Sequence, residues 1–275
     1  VRLADFARVP GKFERLAIQA VASAIAHRAD APYRFRTMTK RGVRSRFAEA
    51  SDLGLPAAEF ALLKRLDTPQ KIQAFLLGLQ QNWEVDGETC MPVGEVLRTR
   101  RAHCIEGAML AAAALWVHGE PPLLLDMRAE RDFDHVVALF KRHGRWGAIS
   151  KTNGIGLRWR DPVYRTLREL AMSYFHEYYN RRDHKTLREY SLPFDLRRMD
   201  PAVWASGAKP AWAVCEALDE LRHFRLVERR HLETVVRRDP FERRVGLIAQ
   251  YRKPRALVEK DQRERSARQK RKRRR

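Results

Sequence analysis

The sequence predicts an α+β fold in which helices pack on a small antiparallel sheet, with further helices flanking that core on both sides in the chain. Three observations carry the expectation. Residues 104–118 are an alanine-rich apolar run of helical length. Three short β-rich runs follow at 123–127, 134–140 and 145–150, the last two close enough for a hairpin. Upstream, apolar residues recur at helical spacing rather than in alternation.

Taken in order, residues 11–28 (GKFERLAIQAVASAIAHR) have the pattern of an amphipathic helix, and 29–50, polar and basic with Pro32 and Gly42, read as a connection. A second helix is expected over 57–66, after Pro56. Thr68 then supplies an N-cap hydroxyl and Pro69 a first helical residue, opening a helix with Ile72, Phe75, Leu76 and Leu79 on one face. Residues 86–99 read as irregular because of Gly87, Pro92 and Gly94. The alanine-rich helix ends in a Gly119-Glu120-Pro121-Pro122 turn. After the three strands, Pro162 leads to an aromatic-rich helix over 164–179, and the chain to about 250 reads as helical or irregular. No internal repeat is present. The expected organisation is an N-terminal helical segment (1–64), a core (65–180), an extension (181–250) and a disordered basic tail (251–275).

The net charge of +21 is unevenly placed. Residues 251–275 hold 13 Lys+Arg against 3 Asp+Glu, so they contribute +10 and the other 250 residues +11. A tail ending in QKRKRRR attracts polyanions, nucleic acid or an anionic membrane surface, unless it serves only solubility. Three cysteines, Cys90, Cys104 and Cys215, have no framework spacing and point to a reducing compartment. The longest apolar stretch, at 108–117, is too short to span a bilayer. A cytoplasmic protein with no membrane span is expected.

One constellation carries chemistry. A free thiol ionises near pH 8.5, and a helix N-terminus or a neighbouring imidazole lowers that value. Cys104 opens the alanine-rich helix, directly after Arg100, Arg101, Ala102 and His103. His135 begins a strand otherwise made of Val136, Val137, Ala138, Leu139 and Phe140. A four-residue loop of Lys141, Arg142, His143 and Gly144 sets His135 opposite Ser150, where directly opposed Cβ atoms lie about 4.5–5.5 Å apart. A two-residue loop at His143-Gly144 brings Thr152 opposite instead. Either register supplies a hydroxyl to orient the imidazole, not a carboxylate. Asp134 faces the other way on the strand, and Asp126 is a weaker source of nearby charge.

The order of C-x-E-x-A at a helix start, an Ala/Leu-rich helix, a turn, a strand, D-H-V-V-A-L-F and then G-R-W-x-x-x-S resembles the transglutaminase-like superfamily. The upstream LDTPQKIQAFLLGLQQNW and VGEVLRTRRAHC also resemble the segments that precede that family's nucleophile. The similarity covers roughly residues 65–152. It implies a transglutaminase-like, cysteine-proteinase-like core in which Cys104 is the nucleophile, His135 the base and Ser150 the orienting group. Family members carry a carboxylate at the position of Ser150, and loss of that charge in a related triad costs about 10⁴ in rate. The resemblance implies action on a peptide or other amide or ester, by hydrolysis or by transfer to an amine, with no cofactor.

Blander alternatives stand beside this. Cys104 can be a packing thiol and His135 a satisfied strand-end histidine. His103 and His118 read as surface or helix-end residues. Cys90, His103, Cys104, His118 and His135 lack metal-ligand spacing, and His176-Glu177-Tyr178-Tyr179-Asn180 lacks the second histidine of a zinc motif, so no metal is expected. Gly154 and Gly156 belong to no phosphate loop. A second functional expectation is a catalytically inactive scaffold that binds nucleic acid or another polyanion through its basic surface and residues 251–275.

Overall fold

The computed structural model describes residues 47–260, 262 and 263, all within a unit running from Arg44 to Arg275. The helix expected over 11–28 and the last residues of the basic tail lie outside the described residues.

Short helices lead into the core: α1 (Ala50–Leu53), α2 (Ala57–Arg65) and α3 (Pro69–Leu77). Thr68 caps α3 as expected, its hydroxyl accepting the Lys71 N–H at 3.2 Å with Pro69 at the first turn. Strand β1 (Gln80–Gln81) pairs in parallel with β2 (Arg101–Ala102). Between them, α4 (Val93–Thr99) replaces the irregular stretch expected there. Pro92 stands at its N-cap, and Val93, Val96 and Leu97 are buried at helical spacing.

Helix α5 (Cys104–Val117) is the centre of the molecule, with every residue from Ile105 to Val117 buried. Its four consecutive alanines, Ala111–Ala114, are all fully buried and permit close approach on several sides. Gly107 permits the closest: a Cβ there would lie 2.5 Å from the Lys151 Cβ.

The strands are β3 (Leu123–Ala129), β4 (His135–Arg142), β5 (Arg145–Ile149), β6 (Arg160–Tyr164), β7 (Leu187–Ser191), β8 (Phe194–Asp195) and β9 (His223–Arg225). They form one antiparallel sheet in the order β6-β5-β4-β3-β7-β9, with β8 also paired to β3. Alternation divides β4 between two cores. Val136, Ala138 and Phe140 join α5 and the N-terminal helices. Val137 and Leu139 join a second cluster with Leu170, Tyr174, Phe175 and Tyr178. The predicted α+β class, helices on a small antiparallel sheet, is what the chain adopts.

Three details differ from expectation, and one alternative is decided. Of the two loops expected between β4 and β5, the two-residue one is adopted, with His143 and Gly144 at φ of 49° and 75°. Those left-handed residues make the tight turn that matches strand twist, so Phe140 pairs with Gly147 and not with Arg145. The 164–179 segment is β6, then α6 (Leu167–Met172) capped by Thr166, then a 3₁₀ turn at Phe175–Glu177. The segment 181–250 holds α7 (Pro201–Trp204), α8 (Trp212–Asp219), α9 (Arg229–Leu232) and α10 (Pro240–Gly246). It also supplies three strands of the sheet, too short and charged to show a period. The first tail residue is docked: Tyr251 donates its hydroxyl to Leu77 O at 2.6 Å and its N–H to Asn153 Oδ1 at 2.8 Å.

Candidate active site

Cys104 is the first residue of α5, where the N–H groups of the first turn have no intrahelical acceptor and the helix dipole is positive. It is half-buried, and its thiol engages the imidazoles of both His103 and His135. Burial works against ionisation, but hydrogen bonds from the two rings outweigh it and bring the thiol well below the ordinary range. Of the other thiols, Cys90 is fully buried 3.7 Å from Cys215. The hydrogen bond with Cys215, and then burial, push Cys90 up.

His135 starts β4 and is 5% exposed. Its Nε2 lies 2.8 Å from Ser150 Oγ. The Ser150 hydroxyl has one proton, which it donates to the Leu157 carbonyl. Ser150 therefore accepts from His135, Nε2 carries the proton, and Nδ1 is the nitrogen left for the thiol. A chain of carbonyl, hydroxyl and imidazole thus fixes one tautomer, as the carboxylate of a Ser-His-Asp triad does, but through Nε2 instead of Nδ1.

This arrangement comes from outside the ladder. In the observed register Val137 would fall opposite Ser150 on extending the pairing past Ile149, so Ser150 reaches His135 diagonally. Thr152, the residue opposite His135 on the same extension, instead uses its hydroxyl to accept the Gly154 N–H at 3.2 Å. Gln73 fixes Ser150 with a two-point amide bridge: Nε2 donates to Ser150 O at 2.8 Å, and Oε1 accepts the Ser150 N–H at 2.9 Å. Leu157 is held in turn, its N–H donating to Glu177 Oε2 at 2.7 Å, and Glu177 pairs with Arg160 at 2.7 Å.

The other side of the thiol is charged. Glu106, fully buried one turn into α5, accepts the N–H groups of His103 and Met91, each at 2.9 Å. It also accepts from Thr89 Oγ1 at 2.9 Å and Asn82 Nδ2 at 3.1 Å. Burial opposes its ionisation, yet bonding from His103 and these N–H groups holds it below the usual carboxylate value. The His103 Nε2 faces only acceptors, Glu106 Oε1 at 3.2 Å and Thr89 O at 3.1 Å, with Glu84 Oε1 at 3.6 Å. Burial lowers the His103 imidazole, but the Cys104 thiol and Glu106 more than reverse this, and it is pushed up to about 11.

All three sequence-predicted residues, Cys104, His135 and Ser150, therefore meet at one end of the sheet. His118 caps the C-terminus of α5 as expected, with Nε2 3.3 Å from Leu63 O. His103 is a helix-end residue that also contacts the thiol. Asp134 accepts the Ala129 N–H at 2.8 Å, and Asp126 pairs with His223 at 3.0 Å rather than with His135. Sequence reasoning missed Gln73, Glu106 and Leu157 as partners. Glu106 was legible as an acid three residues after an N-cap position; a backbone carbonyl seven residues on and an amide reaching across 77 residues leave no local pattern. Among the described residues, no three His, Cys, Asp or Glu side chains are grouped to hold a metal ion, and no helix is long and apolar enough to cross a membrane.

No model of a known family matches the chain. No curated protein matches it.

Proposed function

We propose that this protein is a transglutaminase-like cysteine hydrolase or acyltransferase acting on an amide or ester. The observation that carries the proposal is the tautomer-fixed His135, held by Ser150 and Leu157, beside a helix-start thiol. The Cys104 thiol passes its proton to the bare Nδ1 of His135, the sulfur attacks the acyl carbon, and the carbonyl π electrons move onto oxygen. That oxyanion is served by N–H groups at the start of α5 other than that of Glu106, which the His103 side chain accepts. When the tetrahedral adduct collapses, the bond to nitrogen or oxygen breaks and His135 delivers its Nδ1 proton to the leaving group, forming a thioester. Water or an amine then attacks the thioester, gives its proton to His135 and releases Cys104. Ser150 moves no charge; it positions His135.

The test is alkylation of the native chain with iodoacetamide, mapped by intact and peptide mass. Cys104 is expected to react at least about tenfold faster than Cys90 or Cys215 at pH 6.5, because only the thiolate reacts. Equal rates at the three thiols would overturn the enzymatic proposal. The uncharged Ser150, where related proteins carry a carboxylate, would then favour the second reading: an inactive scaffold binding a polyanion through its basic surface and residues 251–275.

A further inference from the structure

A concentration of positive charge lies where the segments 182–188 and 232–237 meet. There a small open pocket of about 50 Å³ has His184, Lys185, Arg188 and Arg237 as its polar wall and Leu232, Val235 and Val236 as its apolar part. No carboxylate lines it. Arg188 is held in place by Glu130 at 2.9 Å and by the carbonyls of Lys185 and Leu187 at 3.0 and 2.9 Å. The adjacent acid, Asp183, is already taken by Arg238 at 2.7 Å and Arg243 at 3.4 Å. Arg131, in the β3–β4 loop, and Arg182 bear on the same imidazole. Among the described residues, Arg131, Arg182, Lys185 and Arg237 make no ion pair.

We propose that this pocket binds a phosphoryl group, as inorganic phosphate or as a small phosphomonoester whose body rests on Leu232 and Val235. Like charges gathered on one wall repel each other, and an anion that neutralises several at once relieves that repulsion. A carboxylate brings one charge and two oxygens. A phosphoryl group brings nearly two charges and three strong acceptors, which suits several guanidinium and ammonium donors converging on one space. The apolar part of the lining has no use for a bare ion, but it suits the carbon body of a monoester. Burial first, and then Arg237, Arg182, Arg131 and Arg188, hold the His184 imidazole below its ordinary value. That ring therefore reports occupancy: a bound dianion offsets the surrounding charge and raises it.

The experiment is an NMR pH titration of the full chain, following the His184 ring, assigned with His184→Gln, in inorganic phosphate, in phenyl phosphate and in chloride of equal ionic strength. Saturable upward movement of His184 by about one pH unit in either phosphate, absent in chloride, is the expected result. A lower half-saturating concentration for phenyl phosphate would identify a monoester as the better ligand; equal or weaker binding would identify free phosphate. The R182S/R237S double variant, with an unchanged circular dichroism spectrum, should lose the response, and C104A should keep it. The proposal fails if phosphate and chloride act alike or if the double variant responds as the parent does. It also fails if a tetraglutamate peptide moves His184 while neither phosphate does.

Discussion

Two buried carboxylates in this protein each face an imidazole, and they are driven in opposite directions. At the start of α5, Glu106 lies 3.2 Å from His103 and is lowered. Between β3 and β9, Asp126 lies 3.0 Å from His223 and is raised to about 6, by burial first and by nearby Asp134. Charge pairing is common to both, so it is not what separates them. The number of donors is. Glu106 collects two backbone N–H groups, a hydroxyl and an amide besides its histidine. Asp126 has His223, with Arg128 at the longer distance of 3.7 Å. A buried carboxylate stays ionised where backbone donors replace its lost water, and one strong partner does not replace them. The consequence is positional: the stable negative charge, with the imidazole it elevates, is beside Cys104, while His135 is oriented by neutral groups alone. Orientation and charge, which one carboxylate supplies in a Ser-His-Asp triad, are divided between two sides of the thiol.

The largest expected effect comes from Glu106→Gln. The amide turns donors toward the donors that Glu106 now accepts, so urea denaturation should show a loss of about 3 kcal/mol. Iodoacetamide labelling of Cys104 at pH 6 should slow several-fold as His103 loses its anion. A variant as stable as the parent would mean that the donor count does not explain the contrast.

An intermediate effect is expected at Asp126, and its sign follows from the raised value. The carboxyl titrates higher in the folded chain than its ordinary 3.8, so its contribution to stability is present below about pH 4 and is lost as pH rises through about 6. Asparagine cannot ionise. The stability gap between parent and Asp126→Asn should therefore shrink by about 1–3 kcal/mol between pH 4 and pH 7.5. A gap that widens with pH would make this pair an ordinary stabilising ion pair and erase the distinction from Glu106.

The smallest stability change is expected for Ser150→Ala, about 1 kcal/mol for two lost hydrogen bonds, with the backbone still held by Gln73. Its value is as a contrast with Glu106→Gln: the labelling rate should fall by several-fold at most while the pH dependence of labelling keeps its shape, because Ser150 orients without contributing charge. A changed pH profile would show that the two sides of the thiol are not separable in this way.

Local pattern was enough for α3 with its Thr68 cap, for α5, for the β4–β5 hairpin, and for Cys104 and His135 as a pair, because caps, helical spacing and strand runs lie within a few residues of one another. The hairpin register needed the backbone: His143 and Gly144 both take positive φ, a choice that a His-Gly dipeptide permits but does not dictate. The strands at 187–191, 194–195 and 223–225 were invisible, since each is short and finds its stability in pairing with β3 or β7.

The sequence by itself singled out Cys104 and His135 and determined that a hydroxyl, not a carboxylate, would stand beside the imidazole. Those are properties of residue type and order. Only tertiary structure decided which way the Ser150 proton points, that Gln73 pins Ser150, and that Glu106 is charged while Asp126 is driven toward neutrality. Hydrogen-bond direction and desolvation depend on what closes around a group in three dimensions, and the groups that close around these come from segments far apart in the chain.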